Sequence, residues 1–435
     1  MTAEPQAELE TLRALLAQAR SDRDALQARV HTLEGYVHLM RRIPGLTQVD
    51  RARRRVMGRR GRPASPPPPS AALRPGTYLD VSVLREGVWT GIPRVAVEWG
   101  RHLPVDFVSM HDGHLVHDVE FIPEIRGREP DAGESARAGL ALAGGPGVTL
   151  LDPAIPLGPG FEAWQERIRE LRHDGGRYVP LVHDLLPLQF PDFFDGGMRE
   201  RFPRWLSFVS ENADVILAVS DATADSLRRF TTDLPPVVTC RSGSDSLPEP
   251  RRQPDRRDGF SILMVGTVEP RKAVDVAVNA IGYLRERRGL DVNLTLIGHA
   301  GWADPALIER LADLDHEPWF EWRRDADDQT LADAYASADL LLATSRGEGY
   351  GLPLVEARAF GLPTLARDIP PFREALAGDG AFFRTDAELP QAIERAIEQR
   401  PVCTPRLTRS WDAAAADVSA ALASLGVSPT ERDRL

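Results

Sequence analysis

Residues 262–288 read Ile-Leu-Met-Val-Gly266-Thr-Val-Glu-Pro-Arg271-Lys272-Ala-Val274-Asp-Val-Ala-Val-Asn-Ala-Ile-Gly-Tyr-Leu-Arg-Glu-Arg-Arg288, and they decide the fold class. The short apolar run at 262–268 has the length of a buried strand. The turn that follows holds a glycine, a proline and two cations, and the pattern over 274–288 is helical. The same alternation extends to both sides. Strand-like runs occur at 77–84, 105–110, 148–152, 178–183, 215–219 and 237–240, then at 262–268, 293–297, 319–322, 340–344, 363–366 and 381–383. Helical patterns at 274–288, 305–314, 330–338 and 388–399 fall between the later ones. Alternation of this kind predicts an α/β protein with two parallel, doubly wound Rossmann-like sheets, hinged over the polar, Pro-rich stretch 242–259. The expected domains are 76–245 and 246–435, with the last helix, opened by Trp411, returning to the first of them. Ligands in such sheets bind beyond the carboxyl ends of the strands, so the residues just after each strand carry the functional reading.

A chain of 435 residues exceeds what one core usually serves, and 42% hydrophobic with 27% charged residues is ordinary for a globular protein. Cys240 and Cys403 have no ligand spacing, which argues against a disulfide framework or a zinc site. No secretory pattern opens the sequence and no apolar run is long enough to span a bilayer, so a cytoplasmic protein is expected. The net charge of −11 is uneven: residues 41–62 hold nine arginines against Asp50 and carry +8, leaving −19 elsewhere. An acidic body argues against general nucleic-acid binding.

Ahead of the two expected sheets, residues 9–40 follow a seven-residue rhythm with Leu9, Leu16, Val30 and Val37 at one seam and Leu12, Ala19, Leu26, Leu33 and Met40 at the other. This predicts a coiled coil over 1–42 that makes a homo-oligomer, the alternative being a helix docked on its own globular domain. A basic and Pro-rich linker is expected over 43–75. Its collar at 41–62 is a candidate contact for anionic membrane, or else a solvated spacer.

The strongest chemical segment is Ser345-Arg-Gly-Glu348-Gly349-Tyr-Gly351-Leu352-Pro353-Leu-Val-Glu356-Ala357. Gly349, Gly351 and Pro353 make its first half a loop, and the rest reads as a helix ended by Gly361. Backbone amides near Gly351 and Leu352, at the positive end of that helix, suit a diphosphate. Arg271 and Lys272, after the strand that ends near Gly266, are candidate cations for the same group.

Glu348 and Glu356, eight apart, resemble the EX7E motif of the retaining glycosyltransferases of family four, and Gly266 to Lys272 resembles their G-x-x-x-x-R-K segment. Ala273 departs from it, since glycine or asparagine is commoner there. The segments Asp368 to Glu374 and Trp411 onward are similar as well. In the first half, Val182-His183-Asp184 looks like the His-Asp segment of mannosyl- and rhamnosyl-type members, with a buried, structurally satisfied histidine as its rival reading. Thr90-Gly91-Ile-Pro-Arg94-Val resembles a T-G-I-x-R-V loop but lacks the longer Gly-rich form. Asp80 ends a strand, and Ser220 reads as a helix cap.

The resemblance covers about 78–422 and implies the two-lobed GT-B architecture. It also implies a donor that is a nucleotide-diphosphate sugar, GDP-mannose foremost, a glycan or lipid-linked glycan acceptor, and no further cofactor. By the same resemblance Arg271, Lys272 and the Gly351 and Leu352 amides hold the diphosphate, Glu356 takes the ribose, and Glu348 and His183 meet the transferred sugar. No Asp-x-Asp metal site is obvious, in keeping with a metal-independent type. Two rivals keep the same fold. A nucleotide-sugar epimerase would turn over without an acceptor, and an inactive coiled-coil scaffold would bind without turnover.

Overall fold

The computed structural model describes residues 68–86, 91–156, 160–251 and 259–426. The proposed coiled coil, the basic collar, the start of the Pro-rich linker and Thr90 lie outside them. The N-terminal sheet contains β1 (Gly76–Asp80), β2 (Asp106–His111), β3 (His114–His117), β4 (Val148–Asp152), β5 (Arg177–Val182), β6 (Ile216–Ala218) and β7 (Val237–Thr239). The C-terminal sheet contains β8 (Phe260–Val265), β9 (Val292–Ile297), β10 (Phe320–Arg323), β11 (Leu340–Ala343), β12 (Thr364–Arg367) and β13 (Ala381–Phe383). Their orders are β3-β2-β1-β4-β5-β6-β7 and β10-β9-β8-β11-β12-β13. Both are doubly wound, and the chain reverses direction between β1 and β4 in one sheet and between β8 and β11 in the other.

All twelve strand-like runs become strands, shifted by a few residues at their ends. The first sheet is not wholly parallel, however. β3 pairs antiparallel with β2 through a two-residue turn, Asp112-Gly113, with His111 opposite His114. Asp112 and Gly113 both have left-handed backbone (φ 45 and 80), the conformation that lets a two-residue loop follow the twist of its strands. The final residues of the stretch read as linker are also docked, since the Ala71 amide bonds to the Ala141 carbonyl and the Ala141 amide to Pro69.

Apolar side chains cover both faces of each sheet, as parallel strands require. The cluster that holds Leu79, Trp99 and Val219 in the N-terminal lobe also takes in Tyr350, Val355 and Ala375 from the C-terminal lobe, so one apolar core continues across the cleft. The closing helix, Trp411–Ser424, adds Trp411, Ala414, Val418 and Ala421 to that cluster and packs on the Gly91–His102 helix of the first lobe. Burying a side chain such as Trp411 or Val418 contributes roughly 1.5–3 kcal/mol, which makes this helix a brace between the lobes.

Candidate functional site

Three loops meet beyond the β8/β11 reversal point. The Arg346 amide bonds to the Arg271 carbonyl at 2.8 Å, and the Thr344 hydroxyl donates to the Lys272 carbonyl at 2.7 Å, so the loops after β8 and β11 are stitched together. From the end of β12, the buried Arg367 donates Nε to the Thr344 carbonyl at 2.9 Å. Ala273, the departure noted in the sequence, has φ 50 and ψ 46, a left-handed conformation that glycine or asparagine adopts more easily.

Glu348 stands at the centre. Arg271 Nη1 lies 2.6 Å from its Oε2 and Lys272 Nζ 2.6 Å from its Oε1, while Arg271 Nη2 pairs with Glu269 at 2.5 Å. Burial would raise the Glu348 pKa, but Arg271 and then Lys272 outweigh it and bring the carboxyl down to about 2. The Arg271 guanidinium is held charged: burial opposes its charge, while Glu348, Glu269 and Asp184 more than offset that. The two cations are therefore not open charges. They are engaged with the carboxylates of Glu269 and Glu348. A pocket opens here, lined among others by Gly266, Lys272, Glu348, Gly351, Pro353 and Phe372.

The Leu352–Ala359 helix starts at the rim of this pocket with Gly351 as its N-cap. Glu356, one turn in, is buried and accepts the Tyr335 hydroxyl at 2.8 Å. Burial raises its pKa, against the pull of Arg94 and of the Tyr335 hydrogen bond. Leu352 touches the other lobe: a Cβ on Gly91 would lie 3.3 Å from its Cδ1.

Gly349 is pressed on the first lobe, where a Cβ would fall 1.8 Å from the His183 carbonyl oxygen. Its own carbonyl accepts the hydroxyls of Ser220 at 2.5 Å and Thr223 at 3.2 Å. Ser220 also caps its helix, so the sequence reading caught half of its work. The His183 ring Nε2 lies 2.6 Å from the Pro153 carbonyl and donates to it, and burial lowers its pKa, so the imidazole is neutral. Gly266, Lys272, Glu348 and Gly351 thus share one pocket, with Arg271 joined to it through Glu348. Glu356 and Leu352 extend that site along the helix, whereas the His183 ring is tied to its own lobe.

Sequence reasoning missed Tyr335 and Asp328, and it singled out the segment that ends at Glu374 without giving that residue a role. Glu374 accepts the Asp221 and Ala222 amides of the first lobe at 2.9 and 3.1 Å, capping a helix across the cleft. Acidic character alone does not signal such a role. Two Asp-x-Asp triplets occur among the described residues, Asp313-Leu-Asp315 and Asp325-Ala-Asp327. In them Asp315 accepts the Trp322 amide and Asp327 caps the next helix. Among the described residues, no group of three or more His, Cys, Asp or Glu is arranged to hold a metal ion, and no helix is long and apolar enough to cross a membrane.

Residues 259–399 match the family model of the glycosyl transferases group 1. The chain is 33% identical to the serotype-specific mannosyltransferase WbdA of Escherichia coli over 257 residues, which is 54% of this chain but only 31% of WbdA. It is 26% identical to the O-antigen chain mannosyltransferase B of Escherichia coli over 67% of this chain and 82% of that protein. The sucrose-phosphate synthase structure from Thermosynechococcus elongatus aligns with a TM-score of 0.55 at 17% identity, covering 79% of this chain and 93% of its own. Anabaena Alr3699/HepE in complex with UDP and glucose gives 0.53 at 14%, covering 81% and 95%. These two structures share the fold. The matched segment is the lobe that carries both glutamates and both cations, and over that lobe the chain is similar to the group 1 glycosyl transferases.

Proposed function

We propose that the protein moves a hexosyl group, mannose foremost, from a nucleotide-diphosphate sugar to a glycan or lipid-linked glycan, with retained anomeric configuration and without a metal. The observation that carries this is the setting of Glu348 between Arg271 and Lys272, at the reversal point of the second sheet and beside the start of the Leu352–Ala359 helix. A diphosphate brings more negative charge than a carboxylate. It displaces Glu348 from the cations and takes the amides of Gly351 and Leu352 as well. Glu348 is then released toward the sugar hydroxyls, and Glu356 accepts those of the ribose.

As the bond from C1 to the diphosphate oxygen breaks, Arg271 and Lys272 stabilise the charge that collects on the leaving group. The acceptor hydroxyl attacks C1 from the same face and gives its proton to the departing phosphate oxygen. His183, neutral through burial, borders the sugar from the other lobe, and contact of the lobes excludes water. The names of the two Escherichia coli relatives support mannose. We further propose that residues 9–40 assemble the protein and that the collar at 41–62 brings it to the cytoplasmic face of a membrane.

The test is a screen of GDP-mannose against other common nucleotide sugars, with and without glycan acceptors, and NMR assignment of the new linkage. Release of nucleoside diphosphate with an α-linked product from GDP-mannose is expected. An inverted linkage would overturn the mechanism, and donor epimerisation without an acceptor would favour the rival enzyme.

A further inference from the structure

The Gly91–His102 and Leu352–Ala359 helices come from opposite lobes and meet at their starts, where Gly91 touches Leu352. One turn along each, Arg94 and Glu356 face one another, with Arg94 Nε 4.0 Å from Glu356 Oε1. The Arg94 guanidinium is anchored on three sides. It pairs with both oxygens of Asp328, at the start of the Asp328–Ser337 helix, and Nη1 also donates to the Ser246 hydroxyl at 3.2 Å. Tyr335, on the same helix as Asp328, donates to the other oxygen of Glu356. Glu98, one turn behind Arg94, adds a further carboxylate on its own helix.

A carboxylate accepts ribose hydroxyls well only when ionised, and Glu356 is 5% exposed at its side chain. The groups that face it are Arg94, the Tyr335 hydroxyl and the more distant Asp328, so the favourable charge beside it comes from Arg94. That cation belongs to the other lobe. We propose that Arg94 is a positioning residue for the donor, supplied across the cleft, which holds Glu356 ionised and oriented toward the ribose so that the ribose site is complete only when the lobes meet. The inference rests on Glu356 being the ribose acceptor. It makes lobe contact and donor binding reciprocal: parting the lobes strips the cation from Glu356, and a bound ribose favours the joined arrangement.

The test uses the full chain and calorimetric titration with GDP and UDP. The tighter of the two is then compared with its 2′,3′-dideoxy analogue from about pH 5.5 to about pH 8.5. Arg94→Ala should weaken binding of the ribonucleotide about tenfold, the factor that corresponds to one pKa unit, and the loss should begin at a higher pH than in the parent protein. Sign and cause agree, because a carboxyl without its cation takes up a proton earlier as pH falls. Binding of the dideoxy analogue should be the same in both proteins. Arg94→Lys should restore part of the ribonucleotide affinity, and Asp328→Asn, which keeps the cation but frees it from its anchor, should show a smaller ribonucleotide-specific loss without the rise in onset pH, because Asp328 itself raises the Glu356 pKa. Those two variants carry the test if Arg94→Ala does not fold. Equal losses for the two nucleotides at every pH would mean that Arg94 only holds the lobes together, and would overturn the inference. Glu356→Gln identifies a failure further back: if it leaves the preference for the ribonucleotide intact, Glu356 is not the ribose acceptor and the inference falls with that reading.

Discussion

The two sheets reverse at equivalent places, and the side chains found there have opposite proton affinities. At the β1/β4 point of the first lobe, Asp80 and Asp152 are buried with hydroxyl and amide partners: Ser82 on Asp80, and Tyr178 and the Ala154 amide on Asp152. Burial raises both, and the charge of Asp80 pushes Asp152 further, to about 8. At the β8/β11 point of the second lobe, Glu348 is largely enclosed too, with its side chain 11% exposed, yet two cations bring it to about 2. The fold supplies the location in both lobes, and the neighbouring side chains decide whether a carboxyl there is acid or anion. A site that must exchange one anion for another needs the second arrangement. Cations already paired with a carboxylate are preorganised for a diphosphate, whereas a buried carboxyl pair with no cation beside it offers it nothing.

The sharpest way to break this contrast is to remove a cation. Arg271→Ala and Lys272→Ala should each cost about 2–4 kcal/mol of transition-state stabilisation, read as kcat/KM for transfer. Asp152→Ala, at the equivalent place in the first lobe, removes no partner of the diphosphate and should cost less activity than either. Wild-type kinetics in both cation variants would sink the assignment.

Next in size is Gly349→Ala, which drives a Cβ into the His183 carbonyl and should destabilise the lobe contact by about 1–3 kcal/mol. Thermal melting and transfer assays on that variant should fall together. An unchanged Tm would show that the lobes separate here without cost.

The pH dependence of the two points has opposite sign. Asp152 binds its proton more tightly folded than unfolded, so it costs stability as pH rises from about 4 through about 8. Glu348 does the reverse: its contribution is complete above the ordinary carboxylate value of 4.5 and is lost as pH falls toward about 2. Asp152→Asn should therefore gain about 1 kcal/mol over the parent near pH 8 and little near pH 4, read by denaturant titration at both. A gain independent of pH would show that burial of the charge is not the cause.

The smallest effect concerns the left-handed Ala273. Ala273→Gly relieves its φ of 50 and should stabilise the chain by about 0.5–1 kcal/mol, visible as a modest rise in Tm. A fall in Tm would mean that the buried methyl group contributes more packing than the backbone loses in strain.

Most strands and the later helices were legible because their signals are local. Val274–Arg288 and Pro305–Leu314 begin and end where the apolar rhythm and the flanking glycine and proline put them. Arg271, Lys272, Glu348 and Glu356 were legible for the same reason, since each sits in a short punctuated segment after a strand. β3 carried a local signal too, the Asp112-Gly113 pair, but four residues are too few for an alternation to stand out. Sequence by itself thus determined the α/β class and the candidate residues around the two glutamates, because strand length, helical period and turn chemistry are written within ten or so neighbouring residues. Only the tertiary structure decided that Arg94 reaches Glu356, that Ser220 and Thr223 grip Gly349, that Glu374 caps a helix of the other lobe, and that Asp80 and Asp152 share one buried corner. Those pairs are distant along the chain. Their distances and their proton affinities arise from how two sheets and a returning helix pack, a property of the whole arrangement that no local pattern encodes.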